Sequence, residues 1–150
     1  MHIGWSFLDK HRAAIAAIEA RNGMKFIIEH TPEDVQRVRE RMLSASAPVY
    51  SDMPHTHDPK SGENRMLAGI DELDVLQNRY LQAVEYFEWF DPAWARLSDD
   101  DKYVLKMFFV DSSPDTVDEI AEHFCIERTS VYSKRRRAID RLATLLYGAS

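Results

Sequence analysis

Apolar residues recur at helical rather than strand spacing through most of this chain. From Leu8 to Asn22 an Ala-rich run predicts a short helix, with Asn22-Gly23 as its stop. Met24 to His30 (MKFIIEH) is too short to declare a period and stays open between a strand and a helical continuation. Thr31-Pro32-Glu33-Asp34 predicts a helix start: a capping hydroxyl, a proline at the first helical position and acids in the first turn. That helix runs to about Ser44, with Val35, Val38 and Met42 at spacings of three and four. Ala45 to Asn64 reads as a loop, since Pro48, Pro54, Pro59 and Gly62 punctuate it. Arg65 to Phe90 is the longest helix expected. Its Ile70, Leu73, Gln77, Tyr80, Val84 and Phe87 follow in steps of three and four like a packing seam, which Met66, Leu76 and Leu81 widen and Gln77 interrupts. The partner of this seam is either Val35–Met42 of the same chain or a second copy, in a homodimer through residues 65–90; spacing does not separate the two.

Beyond Asp91 the punctuation is regular. Asp91-Pro92 can cap a short helix holding Trp94 and Leu97, and Ser98 with Asp101 opens another that carries Tyr103, Val104, Met107 and Phe108 inward. Asp111 to Asp115 is a break. Thr116 and Glu119 form a T-x-x-E capping box for a helix over Val117–Phe124. Cys125-Ile126-Glu127 is long enough only for a turn, and Arg128 to Tyr147 makes a final helix ended by Gly148. The organisation expected is therefore N-terminal helices over 1–44, a loop or linker over 45–64, a long helix over 65–90 and a small helical domain over 91–150. The fold class is all-α.

Composition narrows the class. Leu, Ile, Val and Phe make up about a quarter of the 150 residues, enough for a modest core. Only 5 Gly and 6 Pro are present, too few for the many turns of an all-β sandwich. A single cysteine, Cys125, excludes an internal disulfide and a Cys-cluster zinc site. Apolar stretches such as Ala13–Ile18 are far too short for a membrane span, and early charges at Asp9, Lys10 and His11 do not read as a signal peptide. A cytoplasmic protein is the expectation.

Charge is more telling than its total. The formal net charge is −6, yet Arg128, Lys134, Arg135, Arg136, Arg137 and Arg141 face only Glu127 and Asp140 within one short segment. An acidic body with one concentrated basic segment is the footprint of a nucleic-acid partner, set against the plainer reading of a solvated helix face.

That segment falls on the second of two helices joined by a three-residue turn. Ile120, Phe124, Ile126 and Val131 fill the angle between them, and the small Ala121 marks their closest approach. Arg128, Thr129, Ser130, Tyr132, Ser133, Lys134 and Arg137 are left for the outer and early faces, where a helix-turn-helix reads the major groove. Cys125 stands where the turn favours Gly, and Lys134 stands where a branched apolar residue is usual, so its stem must snorkel past the core.

Leu97 to Gly148 resembles region 4, the promoter-recognition domain, of sigma-70-type factors. Ile126–Val131 through Ala138–Leu142 align with the last helix of that domain without a gap. A closer resemblance is to phage and prophage regulators of the ArpU/RinA type, small proteins with a helical N-terminal half and a sigma-70 region 4-like end. Tyr50–His55, the long helix after it and Glu88-Trp89 share in this likeness, which covers about two-thirds of the chain. The resemblance implies a sequence-specific, DNA-binding transcriptional regulator of late phage genes. It implies base reading by Arg128, Thr129 and Ser133, with Lys134 and Arg137 the next outward positions. It further implies phosphate contacts from Arg135, Arg136, Arg141, Ser130 and Thr116. Thr129 and Ser130 carry hydroxyls where sigma factors carry charges, so the target differs from a sigma consensus. Double-stranded DNA is the expected partner, with RNA polymerase a second.

Other chemistry is weaker. His55-Thr56-His57-Asp58 has ligand types but no third or fourth ligand placed by a motif, and reads as a polar or partner-docking loop. His123 and Cys125 lie two apart at a helix end and point different ways, with Cys125 expected to pack inward from the turn. Trp89, Phe90 and Trp94 sit at core spacing. No phosphate loop, catalytic carboxylate pair or serine elbow is present, so no catalytic residue, cofactor or metal is assigned and an enzyme is not expected. The alternatives to a regulator are a small-terminase-like DNA-packaging protein and a module that docks on RNA polymerase.

Overall fold

The computed structural model describes residues 9–46 and 59–149. The described residues form five α-helices and no strand: α1 (Lys10–Ser46), α2 (Pro59–Ala95), α3 (Asp99–Phe109), α4 (Thr116–Phe124) and α5 (Arg128–Tyr147). The all-α class follows directly from the 3.6-residue spacing of the apolar positions.

Two expected breaks are absent. The separate helices over Leu8–Asn22 and Thr31–Ser44, and the ambiguous run between them, are one 37-residue helix that contains Pro32. Thr31 is not a cap. Its side chain is buried and its hydroxyl donates back to the Ile27 carbonyl one turn earlier. Pro32 lacks the N–H that would bond the Ile28 carbonyl, a cost of about 3 kcal/mol in a helix interior, and Gly23 adds about 1 kcal/mol. Buried Thr31 and Val38 on this stretch show where packing offsets that penalty.

Asp91-Pro92 likewise starts no new helix: α2 runs through Pro92 to Ala95. Phe90 and Ala93, on either side of it, are buried, and Asp91 pairs with Arg21 at 4.0 Å. The expected loop is shorter than Ala45–Asn64, because α1 includes Ser46 and α2 already begins at Pro59, a residue suited to a first helical position. The remainder of that loop, with His55, His57 and Asp58, lies outside the described residues.

The chain divides into two compact units, Met1–Asn22 with Tyr86–Ser150, and Gly23–Glu85. In the second unit α1 and α2 approach closely at Gly69, where a Cβ would collide with the Met42 side chain, and Arg41 pairs with Glu72 at 3.1 Å. Leu73, Leu76, Tyr80 and Val84 of the expected seam are half-buried there, whereas Ile70, Leu67 and Leu81 are exposed. The intramolecular partner left open by the sequence is thus present, with α1 supplying Val38 and Met42.

In the first unit Ala14, Ala17 and Ile18 of α1, Tyr86, Phe90, Ala93 and Leu97, Leu105 of α3, and Ala138, Ile139, Leu142, Ala143 and Leu146 of α5 are buried. Hydrogen bonds tie the elements: Tyr86 Oη donates to the Ala17 carbonyl, Tyr147 Oη to the Ala13 carbonyl at 3.3 Å, and Trp89 Nε1 to the Leu146 carbonyl at 3.3 Å. Tyr86, Phe90 and Trp94 stack in sequence, at 5.3 and 5.8 Å between ring centroids. Trp89 itself remains partly exposed against Tyr147. Burial pushes the Tyr86 hydroxyl up to about 12 and also raises that of Tyr147.

Candidate nucleic-acid interface

The elements that present the basic segment are set by capping and by a shared interior. Ser98 caps α3, its hydroxyl accepting from Asp101 N–H at 3.2 Å, and three acids in the first turn match the helix dipole. Val104, Ile120 and Val131 form a buried cluster to which α3, α4 and α5 each contribute one residue. Tyr103, Met107, Phe108, Val117, Ala121, Phe124 and Ile126 pack around it. The inward positions expected from the sequence are therefore found, and fully buried Leu105 joins them.

Between α4 and α5 the turn has a specific geometry. Cys125 takes the left-handed conformation, φ 54° and ψ 49°, that Gly adopts more cheaply. Ile126 N–H reaches back to the Ala121 carbonyl at 2.9 Å, closing the end of α4. Contrary to expectation the Cys125 side chain is exposed rather than packed inward. Its neighbour His123 instead stacks on Tyr103, with centroids 4.1 Å apart.

The expected capping box is also absent. Asp115 precedes α4, while Thr116 is its first helical residue and only 4% exposed. The Thr116 hydroxyl accepts from Ser113 N–H at 2.8 Å and faces the Met107 carbonyl at 3.4 Å. A phosphate cannot reach it, so its assignment as a phosphate contact is corrected to a structural role.

Along α5 one stripe (Val131, Ala138, Ile139, Leu142, Ala143 and Leu146) is buried. The opposite stripe of Thr129, Ser133, Arg136, Arg137 and Asp140 is exposed. Arg136 makes no ion pair or side-chain hydrogen bond among the described residues, and Arg137 bonds only to the Ser133 carbonyl of its own helix at 3.3 Å. Arg128 opens the helix with its side chain 67% exposed, paired with Asp118 of α4 at 3.0 Å. Thr129, Ser133 and Arg137 thus stand together on the outward stripe, with Arg128 at its start.

The other candidates are placed differently. Arg141 is bound to Asp101 by two hydrogen bonds, Nε at 2.6 Å, and Asp101 is buried. That bonding holds the guanidinium charge and raises its pKa further. Arg141 is therefore corrected from a phosphate contact to a clamp between α3 and α5. Arg135 is half-buried, its guanidinium carbon 4.9 Å and 5.2 Å from the Phe108 and Phe109 ring centroids, and its Nε is enclosed without a hydrogen-bond partner. Ser130 is half-buried, and Lys134 is drawn inward as its position demanded, with Nζ 4.4 Å over the Phe124 ring. Lys134 is therefore corrected from a base reader to a residue laid against the α4–α5 turn.

Tyr132, which the sequence left for the outer face without giving it a DNA contact, is 51% exposed beside Arg136. The signal was its place one residue after buried Val131, but whether that flank is open depends on what covers α5. No group of three or more His, Cys, Asp or Glu residues is placed to hold a metal among the described residues, and no helix there is long and apolar enough to cross a membrane.

Chemically the outward stripe offers guanidinium forks and hydroxyls, donors suited to phosphate oxygens and base edges. Comparison with protein-family models, curated proteins and solved structures finds no match for this chain.

Proposed function

We propose that this chain binds double-stranded DNA in a sequence-dependent manner through α5 and serves in transcriptional control, in the way of regulators with a sigma-70 region 4-like helix-turn-helix. The observation that carries the reading is the outward stripe of α5: Thr129, Ser133, Arg136 and Arg137 face solvent on the only strongly basic segment of an acidic chain. An unpartnered arginine on a fixed helix is a charge without an internal use. The major groove admits a single α-helix, and an α5 of 20 residues spans about 30 Å, ample to lie in it. Arg128, Thr129 and Ser133 are the base readers in this proposal, with Arg137 beside them. Arg136 and Tyr132 contact the backbone, and Arg135 assists from its aromatic shelf.

Selection of bound fragments from a random duplex pool, followed by anisotropy titrations in increasing salt, tests this. Enrichment of one sequence is expected, with affinity falling linearly in log–log form as counterions are released, by a slope of about 0.9 per phosphate neutralised. Arg136→Ala should weaken all sequences alike and lower that slope by about one, whereas Arg128→Ala should relax preference at one base pair, a loss of about 1–3 kcal/mol in discrimination. Identical effects of the two changes would contradict the assignment. Binding to RNA polymerase without DNA binding would favour the docking module, and ring formation on non-selected DNA would favour a packaging protein.

A further inference from the structure

Arg128 differs from the other outward arginines of α5 in having a carboxylate partner from another helix. Asp118, in the first turn of α4, pairs with Arg128 Nη1 at 3.0 Å, while Arg136 and Arg137 have no such partner among the described residues. Two features separate this pair from an ordinary surface contact. The helices that carry it are packed together through Ile120 and Val131, and the Ile126–Ala121 hydrogen bond fixes the turn to the end of α4, so the backbone bearing Asp118 has a set place relative to the start of α5. The closest approach of the pair is through Nη1, and the Arg128 guanidinium makes no hydrogen bond among the described residues. A guanidinium has five donors in a rigid fork, so its Nε–Nη2 edge stays uncommitted on a side chain that is 67% exposed.

We infer that Asp118 is a positioning residue, holding the Arg128 guanidinium so that its Nε–Nη2 edge meets the O6 and N7 of one guanine. This rests on α5 being the DNA-reading helix. A free arginine surrenders rotamer freedom when it docks; one already held surrenders less, and only the matched base collects the benefit. A carboxylate that merely stood near the duplex would repel the phosphates of every sequence alike. The same charge therefore has two distinguishable signatures, one confined to a single base pair and one uniform.

The test uses the full chain, its selected duplex and a panel of single base-pair substitutions, with wild type, Arg128→Ala, Asp118→Asn and Asp118→Glu measured by anisotropy. Asp118→Asn should lower discrimination roughly 3–10-fold at one base pair. That pair should be the one at which Arg128→Ala acts, with the others unchanged, and Asp118→Glu should recover part of the loss. A contribution to stability alone would shift the thermal midpoint without this base-pair-confined pattern. Uniform tightening on all sequences, or unchanged discrimination in Asp118→Asn, overturns the inference while leaving DNA binding standing. Absence of any sequence preference in wild type overturns the DNA reading and the inference with it.

Discussion

Arg141→Ala separates an arginine that holds the fold from one that holds DNA. Asp101 is 5% exposed and receives both hydrogen bonds of the pair from Arg141, across the contact between α3 and α5. Truncation leaves an enclosed carboxylate without its cation. In a fully buried pair this costs about 3–5 kcal/mol. The Arg141 side chain is 56% exposed, so water screens one side and reoccupies the gap, which lowers our expectation to about 2–3 kcal/mol. In a domain of this size that is a fall in thermal midpoint of roughly 10–20 °C. Urea denaturation followed by circular dichroism, on wild type, Arg141→Ala, Asp101→Ala and the double variant, reads the coupling directly. It should be about 2 kcal/mol, and Asp101→Asn placed in the Arg141→Ala background should restore part of the loss, because an amide is cheaper to enclose than a carboxylate. If Arg141→Ala unfolds within 0.5 kcal/mol of wild type, roughly the scatter for an ordinary surface position, yet loses DNA affinity on all sequences, the clamp is wrong and Arg141 is a phosphate contact after all.

Two further outcomes follow from local geometry. Cys125→Gly should stabilise the chain by about 0.5–1 kcal/mol, because the left-handed backbone costs a side-chain-bearing residue about 1–2 kcal/mol while glycine loses somewhat more chain entropy on folding; a destabilised variant in the same urea titration would show that the Cys125 side chain supplies contacts worth more than the strain. Burial favours the neutral Tyr86 hydroxyl in the folded state and raises its pKa from 10.0 to about 12, so its contribution is intact below pH 10 and is lost as pH rises through 12. Tyr86→Phe should flatten the decline in unfolding free energy over that window while lowering stability at neutral pH by about 1 kcal/mol for the hydrogen bond to Ala17, with a residual slope from Tyr147; an unchanged slope would refute the assignment.

Local reading succeeded where one periodic face met one short, well-punctuated element. Ser98, Cys125 and Gly148 mark the ends of the last three helices, and Ile120, Phe124, Ile126 and Val131 meet as their spacing implied. It failed at Pro32 and Pro92. Each breaks a helix in isolation by about 3 kcal/mol, a local penalty that buried neighbours such as Thr31, Phe90 and Ala93 can outweigh only once their packing partners exist. The basic run was equally divided. Six cations between Arg128 and Arg141 are visible to any reader, but nothing in their order tells which lie outward.

The amino-acid order alone was enough for the helical class, the turn between α4 and α5 and the concentration of positive charge beside it, because these depend on periodicity and on residues a few positions apart. Which arginines are spoken for was settled only by folding. Asp101 stands forty residues from Arg141, Phe108 and Phe109 more than twenty-five from Arg135, and Asp118 ten from Arg128. Whether a charge is clamped, laid on an aromatic shelf or left facing water depends on which distant side chain arrives beside it, and sequence spacing carries no record of that distance.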